Sequence, residues 1–147
     1  MEIDQTPLPH QIRKSNVHML MTEVESYGLT PVSFHMPDDR EKIRKVLSHA
    51  LDNFDVLLMS GGVSKGKYDH LPEVLADLGV QQLFHRVSQR PGKPFWFGKT
   101  KETVVFAFPG NPVSTLVGCL KYFRPWLSSC FGIEEVSKNK LWDVQVE

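Results

Sequence analysis

The sequence has 147 residues, which is enough for one domain with a buried core and too few for a second complete domain. Hydrophobic residues make up 41% and charged residues 23%, the balance of a soluble globular protein rather than a disordered or fibrous one. Lysine plus arginine and aspartate plus glutamate number 17 each, so no net charge favours nucleic acid or an anionic membrane surface.

The first predicted elements alternate between helix and strand. Apolar residues at three- and four-residue steps predict a helix from Ser15 to Tyr27, and Gly28 suits its C-terminal cap. The alternation from Thr30 to Met36 predicts a strand. Asp38 followed by Glu41 is a capping-box pattern, which predicts that a second helix begins there.

The middle of the chain continues the alternation. The apolar run from Phe54 to Met59 is typical of a strand covered on both faces, and a helix follows at about 71–78. Further strands are predicted at about 82–88, 95–99 and 103–108, the last two as a hairpin near Lys101-Glu102. A long apolar helix comes next, and Pro125 should kink or divide it.

This order predicts a three-layer α/β/α sandwich with a mostly parallel sheet. The ordered part opens with a helix, whereas such sheets usually open with a strand, and the tail from Val136 alternates like a strand with no obvious partner. We therefore expect one domain over residues 1–132, truncated at its N-terminus and lacking its first strand, followed at residues 133–147 by the start of a C-terminal β-domain or by a tail.

Three loops after predicted strands are candidates for an anion site. Glycines at 61 and 62 let backbone amides approach an oxyanion, although a plain tight turn is an equally good interpretation. Arg90 and Lys93 place two cations on a proline-stiffened loop, which is also compatible with a solvated surface loop. Two prolines fix the third turn, just before the helix that carries Ser114. The remaining candidates in these loops are Ser60, Ser64, Pro109, Gly110, Asn111 and Pro112.

Metal and redox chemistry receive less support from the sequence. Asp38 and Asp69 are possible Mg²⁺ ligands, but helix capping is the favoured interpretation of both. The six histidines show no spacing typical of metal ligands. Cys119 and Cys130 have no CxxC spacing, so we expect buried free thiols. Without a leader pattern or membrane-length apolar run, we expect a cytoplasmic protein.

The loops in combination resemble the MoeA/gephyrin family of molybdopterin molybdenumtransferases and their MogA-like core domain. The motifs, in chain order, are Asp38-Asp39, the 60–64 loop with Gly66 and Tyr68-Asp69, the 90–94 loop, and Pro109-Gly110-Asn111-Pro112-Val113-Ser114. Each is short, but their joint occurrence at these separations is highly specific. The resemblance spans about residues 5–132.

The resemblance implies the final step of molybdenum cofactor synthesis, in which molybdate enters adenylated molybdopterin with Mg²⁺ assistance and release of AMP. It implies catalytic and metal-handling roles for Asp38 and Asp69. The 90–94 loop and Ser114 would face molybdate or the pterin phosphate, and the prolines at 109 and 112 would shape the pocket. Family members usually have lysine where Arg90 stands, so the charge is kept but the geometry differs.

The main departure from the family is at the N-terminus. Members begin this domain with a strand that ends in a Thr-Gly-Asp-Glu-like turn, and Met1 falls just after the matching position. Two preceding domains and most of a C-terminal β-domain also have no counterpart here. Because members are dimers whose site draws on both subunits, we expect little activity from this chain alone. An adenylyltransferase partner is compatible with the resemblance.

Two alternatives stay open. The pterin-adenylating enzyme of the same superfamily shares the α/β core and a glycine-rich loop, although the 90–94 and 109–114 loops favour the molybdenumtransferase. A non-catalytic scaffold or binding module is the alternative from a different class, because a cationic loop beside a peptide groove has a similar sequence.

Overall fold

The computed structural model describes residues 15–36, 39–63 and 70–133. Three of the candidate site residues lie outside these ranges, namely Asp38, Ser64 and Asp69. Nearly all of the predicted tail also lies outside them. Within the described ranges, no helix is both long enough and apolar enough to cross a membrane.

Apart from the strand predicted at Thr30 to Met36, the helices and strands follow one another in the predicted order. The helices are α1 (Ser15–Glu25), α2 (Arg40–Asn53), α3 (Leu71–Asp77), α4 (Pro112–Gly118) and α5 (Arg124–Cys130), and a π-helical turn (Cys119–Phe123) joins α4 to α5. The strands are β1 (Val56–Ser60), β2 (Gln81–His85), β3 (Trp96–Lys99) and β4 (Val104–Phe108).

The described strands form a mixed sheet in the order β1-β4-β3-β2. β1 pairs parallel with β4, with Val56 opposite Val104 and Ser60 opposite Phe108. β3 pairs antiparallel with both β4 and β2. A connection as short as the β3–β4 turn allows only an antiparallel pair, whereas β1 reaches β4 through a long crossover. The hairpin predicted near Lys101 is confirmed, and parallel pairing is confined to β1 and β4 among the described strands.

The two faces of the sheet carry separate apolar clusters. Leu57 and Met59 of β1 face α2 and α3, together with Val105 and Ala107 of β4. The alternate residues of the same strands pack against α1 and the helices α4 and α5. Because side chains of a strand point to opposite faces in turn, β1 and β4 are covered on both sides. The predicted three-layer α/β/α architecture is confirmed.

Several local predictions need correction. Residues 30–36 do not form a strand, and most of them are exposed. A strand is stabilised by its ladder, and this segment makes no backbone hydrogen bond to another described residue. The cap of α2 is Asp39, whose Oδ1 accepts from Lys42 N at 2.9 Å, rather than Asp38. The N-cap of α3 is His70 rather than Asp69. Cys119 is buried as expected, but Cys130 is exposed.

Pro125 divides the last helix as predicted. The π-helical turn ends at Phe123, and Pro125 lies in the first turn of α5, where a missing backbone donor is tolerated.

Candidate functional site

Two of the candidate loops meet at the carboxyl end of β1 and β4. Gly61 N donates to Phe108 O at 2.9 Å, which continues the parallel ladder into the loops. A Cβ built on Gly110 would lie 3.8 Å from Gly61 Cα, so the two loop backbones pass close to each other. Gly61 and Gly62 have φ values of +90° and +72°, which side-chain-bearing residues rarely adopt. The glycine-rich loop therefore depends on its glycines for its path.

Asn16, in the first turn of α1, connects the same two loops. Its Nδ2 donates to Ser60 Oγ at 2.7 Å and to Gly110 O at 2.9 Å. Its Oδ1 is buried without a hydrogen-bond partner among the described residues. The sequence interpretation missed this residue. The available signal was weak, because a Ser-Asn pair at the start of a helix is an ordinary capping sequence.

The turn between β4 and α4 is held by its own side chains. Asn111 Oδ1 accepts from Ser114 N at 3.1 Å and from Ser114 Oγ at 3.4 Å. Thr115 Oγ1 donates to Pro109 O at 2.6 Å, and Pro112 occupies the first turn of α4. Ser114 is buried. The side-chain oxygen of Asn111 and the Ser114 hydroxyl are thus engaged in capping, which leaves the turn rigid.

The 90–94 loop, which carries Arg90 and Lys93 and is called the cationic loop below, lies against α4 instead of against Gly61. A Cβ on Gly92 would lie 3.5 Å from Ser114 O and 2.8 Å from Gln89 Nε2, so the loop backbone is packed closely onto the first turn of α4. Gln89 Nε2 donates to Pro91 O at 2.8 Å, and Tyr122 OH donates to Gln89 Oε1 at 2.8 Å. The bond from Tyr122 ties the loop to the π-helical turn that directly follows α4.

The charges of the cationic loop face solvent. The side chains of Arg90 and Lys93 are exposed, and neither forms an ion pair with another residue in the described part of the chain. A guanidinium and an ammonium on a fixed backbone are suited to binding an oxyanion. The structure therefore brings Gly61, Gly62 and Gly110 together, and the backbone of the 90–94 loop packs on the first turn of α4, the helix that follows Gly110.

A metal centre is not formed by the described residues. No group of three or more histidine, cysteine, aspartate or glutamate side chains lies close enough together within residues 15–36, 39–63 and 70–133. The two aspartates for which a metal role was expected lie outside those ranges.

A large cleft opens beside the Gly61 and Gly110 loops. Its volume is about 760 Å³, and its walls are α1, α2, β1 and the segment 29–36. Ser60, Gly110 and Pro112 form part of its lining. Most other lining residues are apolar, and the cleft has the size typical of a ligand pocket.

An α/β sandwich with rigid glycine- and proline-containing loops at the carboxyl edge of a parallel strand pair belongs to the class of small-ligand-binding domains. Residues 2–129 match the family model described as "Probable molybdopterin binding domain". The chain belongs to this family.

Curated relatives cover most of the chain but are much longer. The chain is 45% identical over 125 residues to the molybdopterin molybdenumtransferase of Synechocystis sp., which covers 83% of this chain and 32% of that protein. It is 31% identical over 118 residues to the protein of the same name from Bacillus subtilis, with 80% and 27% covered. The chain thus spans about a third of the length of these relatives.

Solved structures share the fold. The molybdopterin biosynthesis MoeA protein of Pyrococcus horikosii superposes with a TM-score of 0.74 at 27% identity, over 91% of this chain and 33% of that one. A structure of molybdenum cofactor biosynthesis protein B superposes with a TM-score of 0.63 at 19% identity, over 87% and 89% of the two chains. The second likeness shows the α/β fold alone.

Proposed function

We propose that this chain is the pterin-phosphate-binding core of a molybdopterin molybdenumtransferase, an enzyme that inserts molybdate into adenylated molybdopterin and releases AMP. The observation that carries the proposal is the close approach of the Gly61 and Gly110 loops at the carboxyl edge of β1 and β4. A relative named for this activity is 45% identical to this chain over 125 residues.

The described residues support binding and orientation of an anionic substrate. The backbones of Gly61 and Gly62 carry no side chains that would keep a phosphate at a distance, and the loop that packs on α4 carries the exposed cations Arg90 and Lys93. Asn111 and Ser114 hold the β4–α4 turn in shape and have few free polar atoms to offer. In this proposal their contribution is rigidity, because ordering a loop on binding costs free energy.

Asp38 and Asp69 are the residues that we propose as ligands of Mg²⁺. Carboxylate oxygens are ligands that Mg²⁺ prefers, and we assign Asp38 and Asp69 to the metal and to substrate handling. Asp39 is excluded from the assignment because its Oδ1 caps α2. No step of the proposal is derived from the metal.

We also propose where the longer protein acts and what it assembles with. We assign the complete enzyme to the cytoplasm and to a homodimer, with the pterin-adenylating enzyme as the partner that supplies its substrate. This chain, which spans about a third of its relatives, should bind the pterin without turning it over.

Binding of molybdopterin by the chain tests the cationic loop. Lys93→Ala should weaken the affinity measured by calorimetry by at least about tenfold, because a charge-assisted hydrogen bond to phosphate is worth about 1.5–3 kcal/mol. Lys99→Ala removes an exposed lysine from β3 and is the matched control. Equal affinities for both variants would remove the 90–94 loop from the site, and no affinity for molybdopterin, AMP or molybdate would favour the scaffold alternative.

Catalysis is tested in the longer protein. Asp69→Asn should abolish cofactor formation while molybdopterin binding persists, because an amide cannot replace a carboxylate charge at the metal. Unchanged turnover would exclude Asp69 from the mechanism. Incubation of the same protein with molybdopterin and ATP distinguishes the adenylyltransferase, since only that enzyme would form the adenylated product.

A further inference from the structure

The cationic loop is the tip of the hairpin formed by β2 and β3. Beyond the two strands, Arg86 N donates to Phe95 O at 2.8 Å and Val87 N donates to Lys93 O at 3.0 Å. No main-chain hydrogen bond within the described part of the chain involves residues 90–92. The backbone alone therefore does not fix the tip of the hairpin, and its conformation depends on side-chain contacts.

The side chain of Gln89 supplies these contacts. Its Oε1 accepts from Tyr122 OH at 2.8 Å, and its Nε2 donates to Pro91 O at 2.8 Å. Pro91 offers only a carbonyl acceptor, so the opposite orientation of the amide would place two oxygens against each other. The Tyr122–Gln89–Pro91 network therefore has a single arrangement of donors and acceptors, which connects the loop to a helix.

Tyr122 is itself held in a fixed position. Its ring stacks on Phe95 with the ring centroids 4.7 Å apart and an interplanar angle of 9°, and Lys121 Nζ lies 5.8 Å from its centroid. Tyr122 belongs to the π-helical turn, which is closed by the bond from Arg124 N to Cys119 O. Such turns are rare and occur frequently at functional sites. The network thus begins at a rigid and unusual point of the fold.

The backbone of the tip is enclosed between Gln89 and α4. Gly92 has a φ of +100°, and a Cβ on it would lie 2.8 Å from Gln89 Nε2 and 3.5 Å from Ser114 O. Gly92 is buried, whereas Arg90 and Lys93 on either side of it are exposed. The two cations therefore extend into solvent from a backbone that is held on two sides.

A loop that is fixed before binding favours affinity, because the cost of ordering a flexible segment is subtracted from the binding free energy. The two cations carry the positive charge of the loop, but their side chains give the backbone no support in the described structure. Support comes from an uncharged pair, Gln89 and Tyr122, which the sequence analysis did not single out.

We propose that Gln89 and Tyr122 are positioning residues for the anionic substrate, and that their network presets the backbone from which Arg90 and Lys93 bind an oxyanion. Gln89 and Tyr122 act through the loop and do not touch the substrate. The inference rests on the proposed function, because it assigns the cationic loop to the pterin phosphate or molybdate.

Removal of one hydroxyl group tests the inference in the 147-residue chain. Tyr122→Phe deletes the bond to Gln89 but keeps the ring that stacks on Phe95. The affinity for molybdopterin, measured by calorimetry, should fall about fivefold, because the loop must then be ordered on binding.

Tyr27→Phe is the matched control. Tyr27 is also partly buried, and its hydroxyl lies 2.8 Å from Ser128 Oγ in α5, so the control also deletes one tyrosine hydroxyl bond. Its affinity for molybdopterin should equal that of the unsubstituted chain. An unchanged affinity of Tyr122→Phe, or an equal loss in both variants, would overturn the inference.

A double substitution tests whether Gln89 and Tyr122 act together. Gln89→Met keeps the length of the side chain and removes both of its bonds, so it should weaken binding by at least as much as Tyr122→Phe. Adding Tyr122→Phe to Gln89→Met should cause no further loss, because the tyrosine hydroxyl has already lost its partner. Losses that multiply in the double variant would contradict a shared network.

Two readouts separate positioning from direct binding. The order parameter of the Gly92 amide without ligand should fall from about 0.85 to below about 0.6 in Tyr122→Phe, and Tyr27→Phe should leave it unchanged. The salt dependence of molybdopterin affinity should be retained in Tyr122→Phe, which keeps every charge, and reduced in Lys93→Ala. Weaker binding with an unchanged Gly92 order parameter would overturn the positioning role.

The same titrations distinguish failure of this inference from failure of the proposed function. If the unsubstituted chain binds molybdopterin and Lys93→Ala weakens the binding while Tyr122→Phe does not, the inference fails and the proposed function stands. If the unsubstituted chain does not bind molybdopterin, both fail.

Discussion

The two cysteines differ in their environment, and this difference sets their reactivity. Burial raises the pKa of the Cys119 thiol to about 12, and the nearby Glu23 carboxylate acts in the same direction. Because the thiolate is the nucleophile, Cys119 should be inert at neutral pH. Cys130 is exposed.

Alkylation with iodoacetamide at pH 8 should therefore add one group to the native chain, at Cys130, and a second group only after unfolding in urea. Mass spectrometry of digested protein locates the adducts. Equal labelling of both cysteines in the native state would contradict the burial of Cys119.

Asn16 is predicted to stabilise the candidate site. Asn16→Ala removes the bonds to Ser60 Oγ and Gly110 O, and we expect a loss of about 1–2 kcal/mol in the free energy of unfolding. Asn53→Ala is the control, because Asn53 bonds only within α2 at an exposed position. Urea denaturation measures the free energy of unfolding of both variants. A loss no larger than that of the control would show that Asn16 does not hold the loops together.

At the scale of single residues, the sequence identified the backbone of the site better than its polar contacts. Glycines at positive φ were predictable, because few other residues adopt that conformation. The hydrogen bonds of Asn16 to Ser60 and Gly110, which lie 44 and 94 positions away, were not predictable. No local sequence pattern encodes a contact between residues so far apart in the chain. The sequence also did not show whether Asp38 or Asp39 caps α2, because a helix start can be predicted only to within one or two residues.

At the scale of elements, α1 and α5 are joined by a close ion pair. Arg124 Nε and Nη2 donate to the two Glu23 oxygens, both at 2.6 Å, and this pairing raises the pKa of the guanidinium. The Glu23 side chain is 11% exposed and that of Arg124 is 43% exposed. A nearly buried carboxylate with two charge-assisted bonds contributes more than a solvated surface pair.

Replacing Glu23 with alanine should lower the free energy of unfolding by about 1 kcal/mol or more, with the partial hydration of Arg124 limiting the loss. The control is Arg40→Ala, which breaks a pair with Asp77 whose side chains are 50% and 47% exposed, and it should cost below about 0.5 kcal/mol. Chemical denaturation compares the two variants. A larger effect of the Arg40 variant would contradict the argument from burial.

Helices and the hairpin were predictable because their signals are local. Apolar spacing located α1 and α2, and the short turn after β3 required an antiparallel partner. Apolar and polar residues alternate in the segment 30–36 as they do in a strand. A strand also needs a neighbouring strand for its main-chain hydrogen bonds, and the alternation does not provide one. Its failure to join the sheet follows from the cleft that separates it from β1.

At the scale of the whole molecule, the sequence predicted the three layers and the family, and the structure and comparisons agree with both. The depth of the cleft could not be read from the sequence, because it depends on the distance between two segments that are far apart in the chain. Chemical roles at the active site also depend on Asp38 and Asp69, which remain predictions.

If the Gly61 and Gly110 loops form one phosphate site, amide NMR shifts during a molybdopterin titration should locate that site. The largest shifts should fall on Gly61, Gly62 and Gly110, because the two loop backbones pass close to each other at one edge of the sheet. Gly79 and Gly132, which also have positive φ but follow α3 and α5, should be unaffected. Shifts of equal size at all of these glycines, or none at the two loops, would contradict the claim.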